Sequence, residues 1–247
     1  VLAIASTCPS DQFGTGYFQE TDPIRLFDDC SGYNQMAVTP AQFARMLPAA
    51  LQHAVHKCEV AVVGLPGDVA ASPCAESPGA SGPLPSHGIY RPLDGELRQL
   101  AEMIGSAERI TVFCGIGARE AHDEVVRLAA MLKAPVAYTF KAKMEVQYDN
   151  PYEIGMTGLL GLPSAYGAMH ESDLLLLLGT DFPYDCFLPS ECRIAQVDIR
   201  PERIGRRARV ELGLAGDVKD TLQALLPMLR ERSDRTFLDR QLKIYRA

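Results

Sequence analysis

A chain of 247 residues with 47% hydrophobic and 22% charged residues has the makeup of a soluble globular protein, enough for one large domain or two smaller ones. Its formal charge of −7, with basic residues scattered, argues against nucleic-acid binding as the main task. No apolar run approaches the roughly 20 residues that a membrane helix needs. Seven cysteines without a C-x-x-C pair point to reduced thiols, as in the cytosol, and neither they nor the five histidines show metal-ligand spacing. No metal site is expected within the chain.

The opening "VLAIAS" has no initiator methionine and no charged leader region. It reads as a core strand with partners upstream, so the chain is expected to be a piece of a longer polypeptide, and the first block is expected to expose apolar surface. A Gly-rich loop, "FGTGYFQETDP", follows, then the helical "TPAQFARMLPAALQHAV" with Thr39 as N-cap, Pro40 at N1 and Pro48 placed to kink or divide it. The strand "EVAVVGLPGDV" closes a block over residues 1–72. Residues 73–92, dense in Pro, Gly and Ser, read as a linker.

The block over residues 93–232 alternates strands and helices. Leu97, Leu100 and Ile104 mark one helical face. "RITVFCGIGAREAHDEVVRLAAMLKAPVAY" then reads as strand, glycine turn, helix and strand, a βαβ unit. A glycine turn there lets a ligand approach the backbone at a helix N-terminus, or is simply a tight turn. The nicotinamide fingerprint is incomplete, because Glu120 stands where a third small residue is needed and the second strand ends in Thr139, Phe140 and Lys141 without an acid. His122 is read as a surface or capping residue. "SDLLLLLG", "RIAQVDI" and "VELGLAGD" are further buried strands, and "VKDTLQALLPMLRE" is a helix with Asp217 as N-cap. Residues 233–247 read as a charged connecting tail. The block is therefore α/β, with a doubly wound parallel sheet.

In such sheets ligands bind outside the carboxyl ends of the strands, where four loops stand out: 114–120, 155–161, 179–185 and 198–205. Gly158, Gly161 and Gly179 would permit close backbone approach to a ligand. Asp198, closing a strand, either accepts hydrogen bonds from ribose hydroxyls or caps the next turn. The basic run "RPERIGRRAR" reads as solvated surface or interface.

The segments "GYFQETDP", "LPGDVA", "CGIG", "YDNPYEIGMTGLLG", "LGTDFPY", "QVDIRPERIG" and "GDVKDTL", in this order, resemble the thiamine-diphosphate-dependent pyruvate oxidases, most closely those that are quinone-linked pyruvate dehydrogenases. The resemblance covers essentially the whole chain. It implies that residues 93–232 are a six-stranded nucleotide-binding central domain carrying FAD in an extended form, preceded by the end of a pyrimidine-binding domain for thiamine diphosphate. The flavin-contacting residues it implies are Ile116, Gly117, Ala118 and Arg119, with backbone N–H groups placed for the pyrophosphate; Thr157, Gly158, Leu159 and Leu160; Thr180, Asp181, Phe182, Pro183 and Tyr184; and Asp198. Gly216 and Asp217 either lie near the adenine or serve the helix cap.

Phe18 and Gln19 match positions that face the thiamine site, where a ring and an amide suit a small keto acid; without the resemblance, Phe18 reads as ordinary core packing. The activating glutamate is expected upstream of Val1 and the metal and diphosphate motif beyond Ala247, since Gly67-Asp68 and Gly216-Asp217 each lack the next glycine. The implied activity of the whole enzyme is oxidative decarboxylation of pyruvate to acetate and CO₂, with electrons passing through FAD to a quinone, in a Mg²⁺-dependent tetramer. The isolated chain is expected to bind FAD without turnover. Its expected location is cytoplasmic, with any contact at the inner face of the membrane made by residues beyond this chain. Two alternatives remain: a non-oxidative decarboxylase or acetolactate synthase, and a non-catalytic nucleotide-binding and oligomerisation module.

Overall fold

The computed structural model describes residues 1–74 and 88–247 and divides into two compact units, Val1–His87 and Gly88–Ala247. Most of the expected linker, from residue 75 to 87, lies outside the described residues. Among the described residues no helix is long and apolar enough to cross a membrane.

In the first unit, β1 (Leu2–Thr7), β2 (Tyr33–Met36) and β3 (Ala61–Pro66) form a parallel sheet of order β1-β3-β2. A short helix α1 (Pro23–Leu26) precedes β2, and α2 (Pro40–His56) links β2 to β3. Thr39 caps α2, its hydroxyl accepting from the Gln42 amide at 3.1 Å, and the helix runs on through Pro48 undivided. Ala50 of α2 packs with Ala37, Ala61 and Val63 in a small core, while Val1 and Ile4 remain exposed. Residues expected to extend β3 form the single helical turn α3 (Gly67–Ala71) instead.

The second unit holds α4 (Asp94–Ser106), β4 (Ile110–Cys114), α5 (His122–Leu132), β5 (Val136–Tyr138), α6 (Lys143–Val146), β6 (Glu153–Met156), α7 (Pro163–Glu171), β7 (Leu174–Leu178), β8 (Arg193–Asp198), β9 (Leu212–Ala215), α8 (Val218–Leu225) and α9 (Thr236–Arg246). Its six strands are all parallel in the order β6-β5-β4-β7-β8-β9. Successive side chains of a strand point to opposite faces, and both faces here are covered, which is why the strands read as unbroken apolar runs. One face, with Ile110, Val112, Leu174, Leu176 and Val197, packs under α4, α5 and α8. The other, with Phe113, Leu175, Leu177 and Ile194, packs under α7 and α9. The doubly wound α/β architecture follows, with β4 and β7 flanking the point where the strand order reverses.

Two elements depart from the expectation. The helix after Asp217 ends at Leu225, because Pro227 has no amide N–H to donate and turns the chain into a 3-10 turn. The expected tail is a packed helix: Leu238 and Leu242 of α9 join the core beside α7, and the Tyr245 hydroxyl donates to Glu153 Oε1 at 2.7 Å. Glu153 Oε2 accepts from the buried Tyr138 hydroxyl, also at 2.7 Å, so one carboxylate fastens α9 to the β5–β6 edge.

Candidate functional site

The carboxyl ends of β6, β5, β4 and β7 bring loops 157–162, 139–143, 115–119 and 179–184 to one edge of the sheet, and the β8 loop, 198–205, continues it. At the centre, the turns after β4 and β7 touch backbone to backbone. The Gly117 amide donates to Gly179 O at 3.0 Å, and the Gly115 amide to Leu178 O at 2.8 Å. A Cβ on Gly117 would stand 2.7 Å from Gly179 Cα, one on Gly179 would stand 2.5 Å from Gly117 Cα, and one on Gly115 would overlap Gly179 and Thr180. These glycines are therefore required by each other. Gly161 likewise packs against the backbone of Thr157 and Gly158 within its own turn, and Gly158 sits against the Phe182 ring. Gly161 and Gly179 thus have a structural reason of their own, beside the close backbone approach to a ligand that they would permit.

The expected pyrophosphate cradle also changes. The amides of Gly117, Ala118 and Arg119 already donate to Gly179 O, Gly115 O and Ile116 O, so three of the four N–H groups assigned to phosphate are engaged within the protein. What the turn offers outward is side chains: Ile116 and Arg119 are exposed and Ala118 is buried. Arg119 makes no ion pair among the described residues, which leaves its guanidinium free for an anion.

Several other expected contacts are internal. Phe182 is a core residue, meeting Phe113 edge-on at 5.4 Å, because an aromatic body gains more from burial than from a place on the edge. Asp181 is paired with Arg206 and with Arg207, whose Nε lies 3.2 Å away, so part of the exposed basic run also holds the 179–184 loop. Thr180 is buried and its carbonyl accepts from Gln196 Nε2 at 3.1 Å. Asp198 is 3% exposed and its Oδ1 accepts from the Arg200 amide at 2.9 Å, which realises the turn-capping alternative. Asp217 caps α8 through the Asp220 amide at 3.1 Å. His122 is neither free nor a cap: it stacks on Tyr148 at 4.0 Å, with Nε2 donating to the Tyr148 carbonyl at 2.7 Å.

The remaining expected residues face outward. Leu159 and Leu160 are each 72% exposed, and Pro183 and Tyr184 are exposed as well. Thr157 carries a buried hydroxyl with no hydrogen-bond partner, and such a group in a native structure calls for one. A β-bulge prepares this loop. Between Val136↔Glu153 and Tyr138↔Met156 the strand β6 advances one residue more than β5, at Gly155 with φ of 86°, and the bulge re-aims residues 156–158.

Sequence reasoning missed three contributors. Phe140, 70% exposed, and Lys141 lie in the turn after β5, which packs against the turn after β4. Their position at a strand's carboxyl end was legible, but an exposed aromatic cannot be told from a core one by sequence. Gln196 lies within the strand segment "RIAQVDI". It is a buried amide on β8 whose Oε1 accepts from the Gly205 amide at 2.9 Å while Nε2 serves Thr180, so it ties two edge loops together.

Phe18 and Gln19 belong to the first unit and are described there. The Glu20 carboxylate accepts from the amides of Gly14 (2.5 Å), Gly16 (2.8 Å) and Tyr17 (3.2 Å), and these bonds, Gly14 foremost, hold its carboxyl below the usual carboxylate range. The loop so formed presents Phe18 at 79% exposure and holds Gln19 at φ of 60°. Ordinary core packing does not account for Phe18.

A family model for the central domain of thiamine pyrophosphate enzymes matches residues 97–225, from α4 through α8. The chain belongs to this family. Among curated relatives, an uncharacterised 42.6 kDa protein of Pseudomonas amyloderamosa is 47% identical over 247 residues, covering all of this chain and 62% of the relative. A pyruvate oxidase of Lactiplantibacillus plantarum is 28% identical over 234 residues, 90% of this chain and 38% of the relative. An acetolactate synthase of Mycobacterium bovis is 29% identical over 240 residues, 93% of this chain and 39% of the relative. The chain thus spans 62% of the length of the first of these relatives and about two fifths of the other two. The central domain shown here is the α/β doubly wound unit, with its edge loops inside or beside the matched region.

Two outcomes test this description of the edge. Gly115→Ala should cost about 1–3 kcal/mol in a urea titration, since its methyl must separate two backbones. Gly167→Ala, in α7 with nothing within 4 Å of a new Cβ, should instead gain about 0.5–1 kcal/mol. Equal effects at the two positions would contradict the glycine contact. For Asp198, burial raises the carboxyl above its ordinary value, opposed by the Arg200 amide. The folded state then holds the proton more tightly than the unfolded chain, so the group favours folding below about pH 4 and opposes it as pH rises through the folded value. Asp198→Asn, which keeps an acceptor for Arg200, should match or exceed the wild-type urea midpoint at pH 7, with the advantage shrinking at pH 4. A clear loss at pH 7 would mean that the charged form is satisfied.

Proposed function

We propose that the carboxyl edge of the second unit binds FAD in an extended form, and that the enzyme to which this chain belongs oxidatively decarboxylates pyruvate to acetate and CO₂, passing electrons through the flavin to a quinone. The observation that carries the binding half is the unpartnered, buried Thr157 hydroxyl set among the exposed groups of the edge. Arg119 would meet a phosphate by a charge-assisted hydrogen bond, Lys141 would add a second positive charge, and Ile116, Phe140, Leu159 and Leu160 would shield the ligand from water. The relative named pyruvate oxidase supports the reaction half, as does the exposed "GYFQE" loop, in which Phe18 would exclude water from a keto acid and Gln19 would hydrogen-bond its polar end.

Thiamine diphosphate, when bound, supplies the chemistry that makes loss of CO₂ feasible. Among the described residues no group of three or more His, Cys, Asp or Glu could hold a metal ion. By the same reading the enzyme is a cytoplasmic tetramer, and contact with a membrane falls to residues outside this chain. The second reading, an acetolactate synthase in which flavin is structural, is favoured by a relative of that name at 29% identity. Product analysis of the full-length enzyme separates the two, since one predicts acetate and the other acetolactate.

The direct test is a visible spectrum of the protein after incubation with FAD and gel filtration. Flavin should co-elute, and Arg119→Ala should weaken binding about tenfold, or ~1.4 kcal/mol. A folded protein that elutes free of flavin would overturn the proposal for this chain.

A further inference from the structure

Two of the cysteines, neither of them in a disulfide, share a place. β2 and β3 pair in parallel from Tyr33↔Ala61 to Met36↔Gly64, and the pairing direction continues backwards, with the Gly32 amide donating to Val60 O at 2.9 Å. Cys30 and Cys58 each lie three residues before the first pair, Cys30 in a turn and Cys58 at φ of 52°, so both sit at the amino end of the paired strands. The segments are pressed together just there, because Glu59 fills the space that a side chain at Gly32 would need. Both thiols are exposed, and both line one surface cleft of about 480 Å³, beside Asp29 and Glu59.

We propose that Cys30 and Cys58 are a thiol pair that closes reversibly into a disulfide at the amino end of β2 and β3. A disulfide spans a Cα separation of roughly 4.4–6.8 Å, and a single small cleft lined by both cysteines brings them near one another. Among the described residues little holds the thiols in place: Cys30 Sγ donates to Phe27 O at 3.7 Å and Cys58 Sγ to Val55 O at 3.5 Å. Closure needs an oxidant, for which a low-molecular-weight disulfide suffices. One cysteine, as thiolate, attacks it, forming a mixed disulfide and expelling one small thiol; the second cysteine gives up its proton, attacks the protein-bound sulfur and expels the other. One disulfide is reduced to two thiols and one protein disulfide is made. The closed form encloses β2 and α2 in a single covalent loop, away from the carboxyl ends of the strands. Other thiols are poorer candidates: Cys8 and Cys114 are buried, and burial pushes the Cys114 thiol up to about 12.

The protein, shown folded by circular dichroism, is incubated with excess oxidised glutathione, quenched with acid and digested without reductant for peptide mass spectrometry. The expected product is a linked peptide pair joining Cys30 to Cys58 that dithiothreitol separates. In Cys30→Ser and in Cys58→Ser the remaining cysteine should accumulate as a glutathione mixed disulfide, because its resolving partner is gone. Stable glutathione adducts on both cysteines of the unmodified protein, without the linked pair, would overturn the proposal. So would either single variant behaving like the unmodified protein.

Discussion

The carboxyl edge depends on one contact, the approach of the Gly115–Gly117 turn to Gly179 across the point where the strand order reverses. β4 and β7 are neighbours whose following chains leave towards opposite faces of the sheet, so their turns diverge unless something joins them. The joint is backbone against backbone, with the Gly117 amide on Gly179 O, and it tolerates no side chain. A doubly wound sheet ordinarily leaves a crevice at this point. Here the crevice floor is closed by the protein's own main chain, and what stands above it is a rim of side chains.

That constraint sorts the edge residues into two kinds. Phe182, Thr180, Asp181, Asp198 and Gln196 turn inward and fix the loops by core packing, an ion pair or a hydrogen bond. Ile116, Arg119, Phe140, Lys141, Leu159, Leu160 and Tyr184 turn outward from loops made rigid in this way. Exposed apolar side chains on rigid loops are the arrangement that a binding surface needs, because little further ordering is required when a ligand arrives. The first unit shows the same division on a smaller scale, with Glu20 collecting three amides so that Phe18 is held out.

Much of the fold was legible because its signals are local. The run of five leucines in β7, the apolar faces of α4 and α5, and the caps at Thr39 and Asp217 each depend on residues close in sequence. The α9 helix was hidden by its charges, although Leu238, Leu242 and Tyr245 already carried a helical spacing. The site was legible in position but less so in detail. Which loops gather at the edge follows from the order of elements, whereas the partners of Gly115, Asp181 and Gln196 lie across the fold. Neither the order of elements nor the family resemblance could tell an outward Leu160 from an inward Phe182, since that choice is made by packing.

The central claim is that a flavin dinucleotide lies on this rim. Mapping backbone amide shifts in the isotope-labelled protein during titration with FAD tests it most directly. The account predicts changes concentrated at residues 116–119, 139–141, 157–160 and 179–184, with α4 and the 228–234 segment unmoved. Changes confined to that groove between α4 and residues 228–234, with the rim silent, would contradict it.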